Sequence, residues 1–440
     1  MIMEEIYQKY LECGGVVTTD SRAIKGGELF IALKGENFDG NAYALKAVEA
    51  GASYAVVNAG SEAARSGDPR MLVVEDTFET LKQLARYHRN HCLGERHLPV
   101  IGLTGTNGKT TTKELVRAVL SRKYRITATE GNLNNDIGVP LSLLKIGPDT
   151  EMAVIEMGAN HPDDIKHLVD VCEPDFGLIT TVGKAHLLGF GSFEGVKKAK
   201  GQLYDFISEK CGEVFVNVDD ENLKEMAESR KGLTIIPYGP QYSGAEVLPP
   251  TPENPYLRVK INGTVVSTNL VGAYNAVNVL AAICIGSHFE VPFEDCVAAI
   301  ESFVPSNNRS QMQKTDRNVL ILDAYNANPS SMSAALDSFS IMESGSKIAL
   351  LGDMRELGDN SVQEHEKVVR RIAASDFKAY LVGEEFGKAM ASVGDCPNVL
   401  GHYSSSDELA AFLKENVISD ACILVKGSRG IHMEKVISCL

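Results

Sequence analysis

At 440 residues the chain is longer than one hydrophobic core organises, so about three domains of roughly 150 residues are expected. With 44% apolar and 23% charged residues it has ordinary globular composition, and its nine scattered cysteines, without a C-x-x-C pair, suggest reduced thiols rather than a zinc cluster or disulfide framework. A formal net charge of −15 argues against a general nucleic-acid or anionic-membrane binder, and requires basic groups to gather locally around any bound phosphate or carboxylate.

The stretch Met1 to Tyr10 carries Glu4 and Glu5 and has no apolar core of a signal peptide. No apolar run approaches the roughly 20 residues that span a bilayer, so a cytoplasmic protein without membrane insertion is expected. Residues 1–97 read as a small mixed unit, with strands at Glu28–Leu33 and Tyr54–Asn58 around helical spacing at Ala42–Ala50. His91–Pro99 is polar, ends in proline and reads as a linker. A second unit, 98–306, alternates strands and helices, with strands predicted at Val100–Thr104, Ala153–Glu156, Gly177–Val182 and Val214–Val218. That alternation implies βαβ units and a mainly parallel sheet. Pro237–Pro255 is rich in Pro and Gly, whereas Leu257–Val271 alternates like an antiparallel hairpin turning at Asn262–Gly263. After a polar linker at Pro305–Gln311, the third unit, 307–440, places strands at Val319–Asp323, Ile348–Leu351, Ala379–Val382 and Ile423–Val425. The expected architecture is α/β in three domains, the central one built on a P-loop ATPase-type parallel sheet and the last a small Rossmann-like doubly wound unit.

The sharpest local signal is IGLTGTNGKTTT at Ile101–Thr112, a buried strand running into a glycine-containing turn that opens a helix through Lys113 to Ser121. Unpaired N–H groups at a helix start, with glycines permitting close approach, cradle phosphate oxygens. Gly105, Thr106, Asn107, Gly108, Lys109, Thr110 and Thr111 are therefore the candidate nucleotide contacts, with Lys109 reaching the β- and γ-phosphates and the Thr110 hydroxyl binding Mg²⁺. Leu103 stands where the standard Walker pattern has glycine, so the loop is a shorter variant.

Further segments join this one: GNLNNDIGVPLSLL (Gly131–Leu144), IEMGANH (Ile155–His161), TTVGKAHLLGFGS (Thr180–Ser192) and AKGQLYDF (Ala199–Phe206). They are followed by GAYNAVNVLAA (Gly272–Ala282), NNRSQ (Asn307–Gln311), DAYNANPSSM (Asp323–Met332), LGDMRELG (Leu351–Gly358) and VKGSRGIHME (Val425–Glu434). In order and spacing, over nearly the whole chain, the set resembles the Mur ligases, the amide ligases of peptidoglycan precursor synthesis related to folylpolyglutamate synthase. TDSR at Thr19–Arg22, followed by GGELFIALKGENFDG, is similar to the uridine-nucleotide domain of two members. NANPSSM stands where the diaminopimelate- or lysine-adding member carries a DNPR-type signature.

What the resemblance implies is an ATP-dependent ligase acting through an acyl phosphate, with UDP-N-acetylmuramoyl-tripeptide and D-alanyl-D-alanine as substrates, two Mg²⁺ ions and a monomeric chain. It implies that Thr110, Glu156 and His186 hold metal, with a weaker contribution from Glu130–Asn132, and that Lys200 carries a CO₂-derived carbamate that helps position Mg²⁺. It also places Asn275 at the adenine, and Arg309 and Asp323 on the nucleotide side. Asp20, Ser21 and Arg22 fall at the uridine diphosphate, and Tyr325, Asn326, Asn328, Lys426 and Ser428 at the incoming substrate. Lys109, Glu156, His186 and Lys200 make up the catalytic set. Two residues depart from the family pattern, Gln202 where Glu is expected and Tyr274 where His is common.

From the residues alone, blander readings stay open. Glu156 could cap a helix, His186 could be a satisfied loop histidine, and Lys200 could be a solvated member of the Lys197, Lys198, Lys200 run. Arg309 could be an exposed hinge cation, and the Asp20, Asp323 and Lys426 segments could be capped loops and strand-to-helix connections. His161, His365 and His432 lack a second ligand in metal spacing and read as non-catalytic. The alternatives at the level of function are another Mur-type amino acid ligase, or a nucleotide-binding protein without ligation.

Overall fold

A computed structural model of the chain describes residues 2–35, 38–251, 254–306 and 308–440. Met1, Glu36 and Asn37 of GENFDG, Pro252 and Glu253 of the proline-rich stretch, and Asn307 of NNRSQ lie outside them.

The N-terminal unit is a parallel sheet in the order β1 (Val17–Thr18), β2 (Leu29–Ile31), β3 (Tyr54–Asn58), β4 (Met71–Val74). β2 is shorter than its sequence suggests, because the Glu28 carboxylate turns back to accept from the Lys25 and Gly26 amides at 2.8 and 2.9 Å. Helix Thr77–His91 follows, capped by Asp76, whose carboxylate accepts from the Phe78 and Glu79 amides. His88 and Arg89 are buried on it, and polar residues facing inward blur the apolar stripe of this helix.

The central sheet comprises β5 (Val100–Thr104), β6 (Ile126–Ala128), β7 (Met152–Glu156), β8 (Phe176–Ile179), β9 (Glu213–Asn217) and β10 (Thr234–Tyr238). All pairs are parallel and the order is β10-β9-β8-β5-β7-β6, so β5, β7 and β8 are neighbours at its centre. β8 ends at Ile179 rather than continuing to Val182, since Thr180 and Thr181 turn their polar groups to the loop after β5. A three-stranded antiparallel sheet of β11 (Glu246–Leu248), β12 (Arg258–Ile261) and β13 (Thr264–Ser267) is appended. Asn262 and Gly263, at φ 49° and 81°, form the two-residue turn of its hairpin, the geometry that an Asn-Gly pair adopts without strain.

The C-terminal sheet is built from β14 (Gln311–Lys314), β15 (Val319–Asp323), β16 (Lys347–Gly352), β17 (Lys378–Val382), β18 (Val399–Tyr403) and β19 (Cys422–Lys426). Its order is β14-β15-β19-β16-β17-β18, parallel except for the antiparallel edge β14. Among the described residues no helix is long and apolar enough to cross a membrane.

The first two units share one hydrophobic core. Ile6, Tyr7, Tyr10, Leu81 and Leu84 pack in the same cluster as Leu143, Ile146, Leu168 and Val169 of the central unit. Polar contacts reinforce that seam: Tyr10 donates to the Leu144 carbonyl at 2.8 Å, and Arg89 reaches the Cys172 and Glu173 carbonyls and the Asp175 carboxylate at 2.9 to 3.1 Å. Arg89→Met would leave those acceptors facing apolar surroundings, and is expected to lower unfolding free energy by about 2 kcal/mol in urea denaturation.

Candidate functional site

The site begins at the C-terminal edge of the central sheet, where open parallel sheets receive ligands. β5 runs into the loop Gly105–Gly108 and then helix Lys109–Leu120. Two glycines are required here by space as well as by backbone angle. A Cβ on Gly105 (φ 148°) would lie 2.0 Å from Thr180 Oγ1, and one on Gly108 (φ 80°) 2.7 Å from Asn278 Oδ1. The loop is pinned to the residues after β8: the Thr106 and Asn107 amides donate to the Thr181 carbonyl and hydroxyl at 2.8 and 2.9 Å, and the Thr180 hydroxyl donates to the Asn107 carbonyl at 2.6 Å. The first amides of the following helix, from Lys109 to Thr111, lack carbonyl partners within the helix and form an anion-ready end.

Lys109 folds over this loop, its ammonium donating to the Gly105 and Thr106 carbonyls at 2.8 and 3.3 Å. Burial lowers its pKa, Glu156 works against that shift and the nearby Arg309 charge adds to it. At the end of β7, Glu156 is 1% exposed yet fully engaged. Its carboxylate accepts from Thr110 Oγ1 at 3.0 Å and Asn134 Nδ2 at 2.9 Å, while its amide donates to Thr129 Oγ1 at 3.0 Å. The buried Lys113 ammonium occupies the carbonyl of the same Thr129.

His186 starts the short helix Leu187–Phe190 with φ 50°, and its Nδ1 meets the Glu356 carboxylate of the C-terminal domain. Burial lowers the His186 pKa and Glu356 opposes this. Lys200 is 2% exposed on helix Phe193–Glu209, which rules out a solvated lysine there. Among the described residues its ammonium has neither hydrogen bond nor ion pair, only the Phe190 ring at 5.8 Å. Burial drives its pKa well below the usual lysine range, repulsion from Lys109 adds to this and Asp164 partly offsets it. Gln202, two residues further on, spans to the start of helix Asp164–Cys172 by donating to Asp163 at 2.6 Å and accepting from the Lys166 amide at 3.2 Å.

The opposite wall is the C-terminal domain. Asp323 ends β15, and Tyr325, Asn326 and Asn328 lie on the turn after it. Lys426, buried at the end of β19, pairs with Asp323 and donates to the Asn326 carbonyl. Asn328 caps helix Pro329–Ser340 by accepting from the Ser331 amide, and also donates to Asn107 Oδ1 at 2.8 Å. Asn107 Nδ2 in turn donates to Ser330 Oγ at 2.8 Å, so the loop after β5 and the start of this helix are joined directly. The Arg309 guanidinium stacks 3.6 Å above the centre of the Tyr325 ring.

Between the walls lies a cavity of about 760 Å³. Its lining includes Thr106–Thr111, Glu156, His186, Asn275, Arg309, Asp323, Tyr325, Asn326, Asn328 and Lys426. Asn275 is buried, its amide donating to the Val271 carbonyl and accepting from Asn278, both at 2.8 Å. Tyr274 hydrogen-bonds the Ser310 hydroxyl at 3.0 Å, which ties the neighbouring helix to the segment carrying Arg309.

Other singled-out residues stand apart. Gly105 and Lys200 are behind the lining, and Ser428 accepts from the Arg355 amide and donates to the Ala327 carbonyl, a strand-end connection. Asp20, Ser21 and Arg22 are in the N-terminal unit, where Arg22 hydrogen-bonds Asp20 and holds its carboxyl down to about 2. His161, read as non-catalytic, lines the cavity. Asn134, Asn278, Ser330, Glu356 and Arg429 were not singled out although each lies inside a quoted motif; their partners come from distant segments.

The donor set fits Mg²⁺. The Thr110 hydroxyl and Glu156 carboxylate are adjacent hard oxygens, and among the described residues no group of three or more His, Cys, Asp or Glu forms an all-protein cage. Such a sparse set suits an ion that keeps waters and phosphate oxygens as its remaining ligands.

Three family models match the chain: "Mur ligase family, catalytic domain" over residues 15–89, "Mur ligase middle domain" over 103–286, and "Mur ligase, glutamate ligase domain" over 308–429. The UDP-N-acetylmuramoyl-tripeptide–D-alanyl-D-alanine ligase of Bacillus subtilis (strain 168) is 34% identical, covering 96% of this chain and 92% of that protein. A crystal structure of MurF from Acinetobacter baumannii superposes with a TM-score of 0.85 at 30% identity, over 98% of this chain and 97% of that one. MurF ligase from Thermotoga maritima, in complex with ADP, gives 0.82 at 25% identity over 96% of each chain.

Gly105→Ala forces a Cβ into Thr180 at a backbone angle that L-residues rarely adopt. It is expected to weaken ADP binding about tenfold or more in calorimetric titration, with circular dichroism unchanged.

Proposed function

The chain belongs to the Mur ligase family, and we propose that it uses ATP to join D-alanyl-D-alanine to UDP-N-acetylmuramoyl-tripeptide, a step of peptidoglycan precursor synthesis. The observation that carries this reading is the single cavity walled by the phosphate loop on one side and the Asp323–Asn328 turn on the other. Full-length similarity to UDP-N-acetylmuramoyl-tripeptide–D-alanyl-D-alanine ligases supports the choice of amine.

A carboxylate does not condense with an amine in water unless it is activated. The substrate carboxylate oxygen attacks the γ-phosphorus of ATP, giving an acyl phosphate and ADP. The neutral amine of the dipeptide then attacks the acyl carbon, the tetrahedral adduct loses inorganic phosphate, and the amine's proton departs to leave the amide. Positioning and charge stabilisation dominate such phosphoryl transfer. The amides of Lys109, Thr110 and Thr111 and the Lys109 ammonium hold the phosphates, Lys109 leaving the loop carbonyls it caps in this structure. Thr110 and Glu156, with His186, would hold Mg²⁺, which when bound neutralises charge on the phosphate oxygens.

Lys200 is the site of the carbamate in this reading. Carbamylation consumes a neutral amine, and a buried lysine with a strongly lowered pKa supplies one. Asn275 faces the adenine, and Arg309 and Asp323 complete the nucleotide side. Tyr325, Asn326, Asn328 and Lys426 face the incoming dipeptide, while Ser428 supports that wall from behind it. The unit 1–97 takes the uridine diphosphate end through Asp20, Ser21 and Arg22, 98–306 the nucleotide and 307–440 the dipeptide. The protein acts as a monomer in the cytoplasm.

Phosphate release from ATP, Mg²⁺ and UDP-N-acetylmuramoyl-tripeptide is expected to depend on D-alanyl-D-alanine, with a product heavier by one dipeptide unit. Lys109→Met should lower kcat by about 100-fold or more. Release indifferent to the dipeptide would sink the assignment. With ¹³C-bicarbonate, the protein is expected to show a carbamate carbon resonance that Lys200→Arg abolishes; a resonance surviving that change would place the carbamate elsewhere.

A further inference from the structure

We infer that the Arg429 guanidinium receives the C-terminal carboxylate of the incoming dipeptide, an inference that rests on the ligation proposed above. That carboxylate takes no part in bond formation, yet it enters a cavity that must also hold the nucleotide's phosphates. Like charges there repel, so it requires a cation of its own. Three cationic side chains line the C-terminal part of the cavity: Arg309, Lys426 and Arg429. Lys426 is committed, since its buried ammonium pairs with Asp323 and donates to the Asn326 carbonyl. Arg309 lies flat on the Tyr325 ring, on the segment that leads into the domain and within electrostatic reach of Lys109. It belongs to the phosphate side.

Arg429 is left. Among the described residues no carboxylate pairs with it, and its polar contact is Nη1 donating to the Tyr325 hydroxyl at 3.3 Å. A neutral oxygen orients a guanidinium without cancelling its charge, and leaves most of its five N–H donors free for a planar anion. The backbone beneath it is fixed: Ser428 donates its amide to the Asp353 carbonyl at 3.1 Å and its hydroxyl to the Ala327 carbonyl at 3.2 Å. Arg429 itself is exposed at the cavity rim. The termini of an extended dipeptide are roughly 7 Å apart, so an anchor at the rim lets the amine reach inward while the carboxylate stays out.

The unsubstituted enzyme is compared first on D-alanyl-D-alanine and its C-terminal amide, which differ only in the anion. The expected result is a kcat/KM for the amide lower by on the order of tenfold to a hundredfold. In Arg429→Ala, KM for the dipeptide rises by a similar factor, and the preference for acid over amide disappears. KM for ATP and for the UDP substrate stays near its original value, and Arg429→Lys recovers part of the preference. Equal use of acid and amide by the unsubstituted enzyme overturns the inference, as does an Arg429→Ala variant that keeps the preference. Failure to ligate the dipeptide at all is a failure of the proposed substrate; the acid and amide of whichever amine is accepted then read Arg429 separately.

Discussion

The side chain of Asn107 is the seam on which the cavity depends. It donates to Ser330 and accepts from Asn328, across a sequence separation of more than 200 residues, while its own backbone is held by Thr180 and Thr181. Asn328 is similarly doubly used, since the same amide group caps the helix it precedes. One asparagine pair therefore sets the register between the loop after β5 and the turn after β15. A second bridge, His186 to Glu356, also lines the cavity, and both residues adopt positive φ there. Two residues in the sparsely populated left-handed region at one contact is the pattern expected where geometry is held for function rather than for stability.

Buried charge in this region follows a consistent rule, with one exception. Glu156 is compensated by Thr110 and Asn134, Lys113 by the Thr129 carbonyl and Glu114, and Lys426 by Asp323. Each ion is taken from water only where several hydrogen bonds replace hydration. Lys200 breaks the rule, with an aromatic face where an anion would be expected. A group in that position is stable as a neutral amine, or as something other than an ammonium.

Much of this was legible in the sequence, and what was not has identifiable causes. β5, β15 and the Asn262–Gly263 hairpin follow from continuous apolar runs and from turn chemistry. The edge strands β6, β14 and β18 were not, because partly exposed strands such as Gln311–Lys314 carry no apolar signature. Helix Thr77–His91 was missed for the opposite reason, its inward face including Thr77, His88 and Arg89. At the site, motif residues announced themselves as GTNGKTTT or DAYNANP, but which asparagine meets which is a property of the folded pair of domains. Asn278 is the clearest case: it sits one turn from Asn275, and its side chain is what leaves no room for a Cβ on Gly108, 170 positions earlier.

The core shared by the first two units has a consequence for how the family's parts can be recombined. Tyr10, Leu81 and Leu84 cover Leu143, Ile146 and Val169, so cutting the chain near residue 98 would strip a hydrophobic face from the nucleotide-binding unit. The third unit meets the second through side-chain amides, hydroxyls and one histidine–carboxylate pair, the kind of contact that water can replace, and through a smaller apolar patch in which Val271 and Tyr256 join the cluster of Ile321, Ala335 and Met342. The molecule is thus a two-piece instrument in its mechanics although it is a three-sheet object in its folds. An exchange of modules in evolution or in the laboratory would find its natural joint at the linker before Arg309, not at the one after His91.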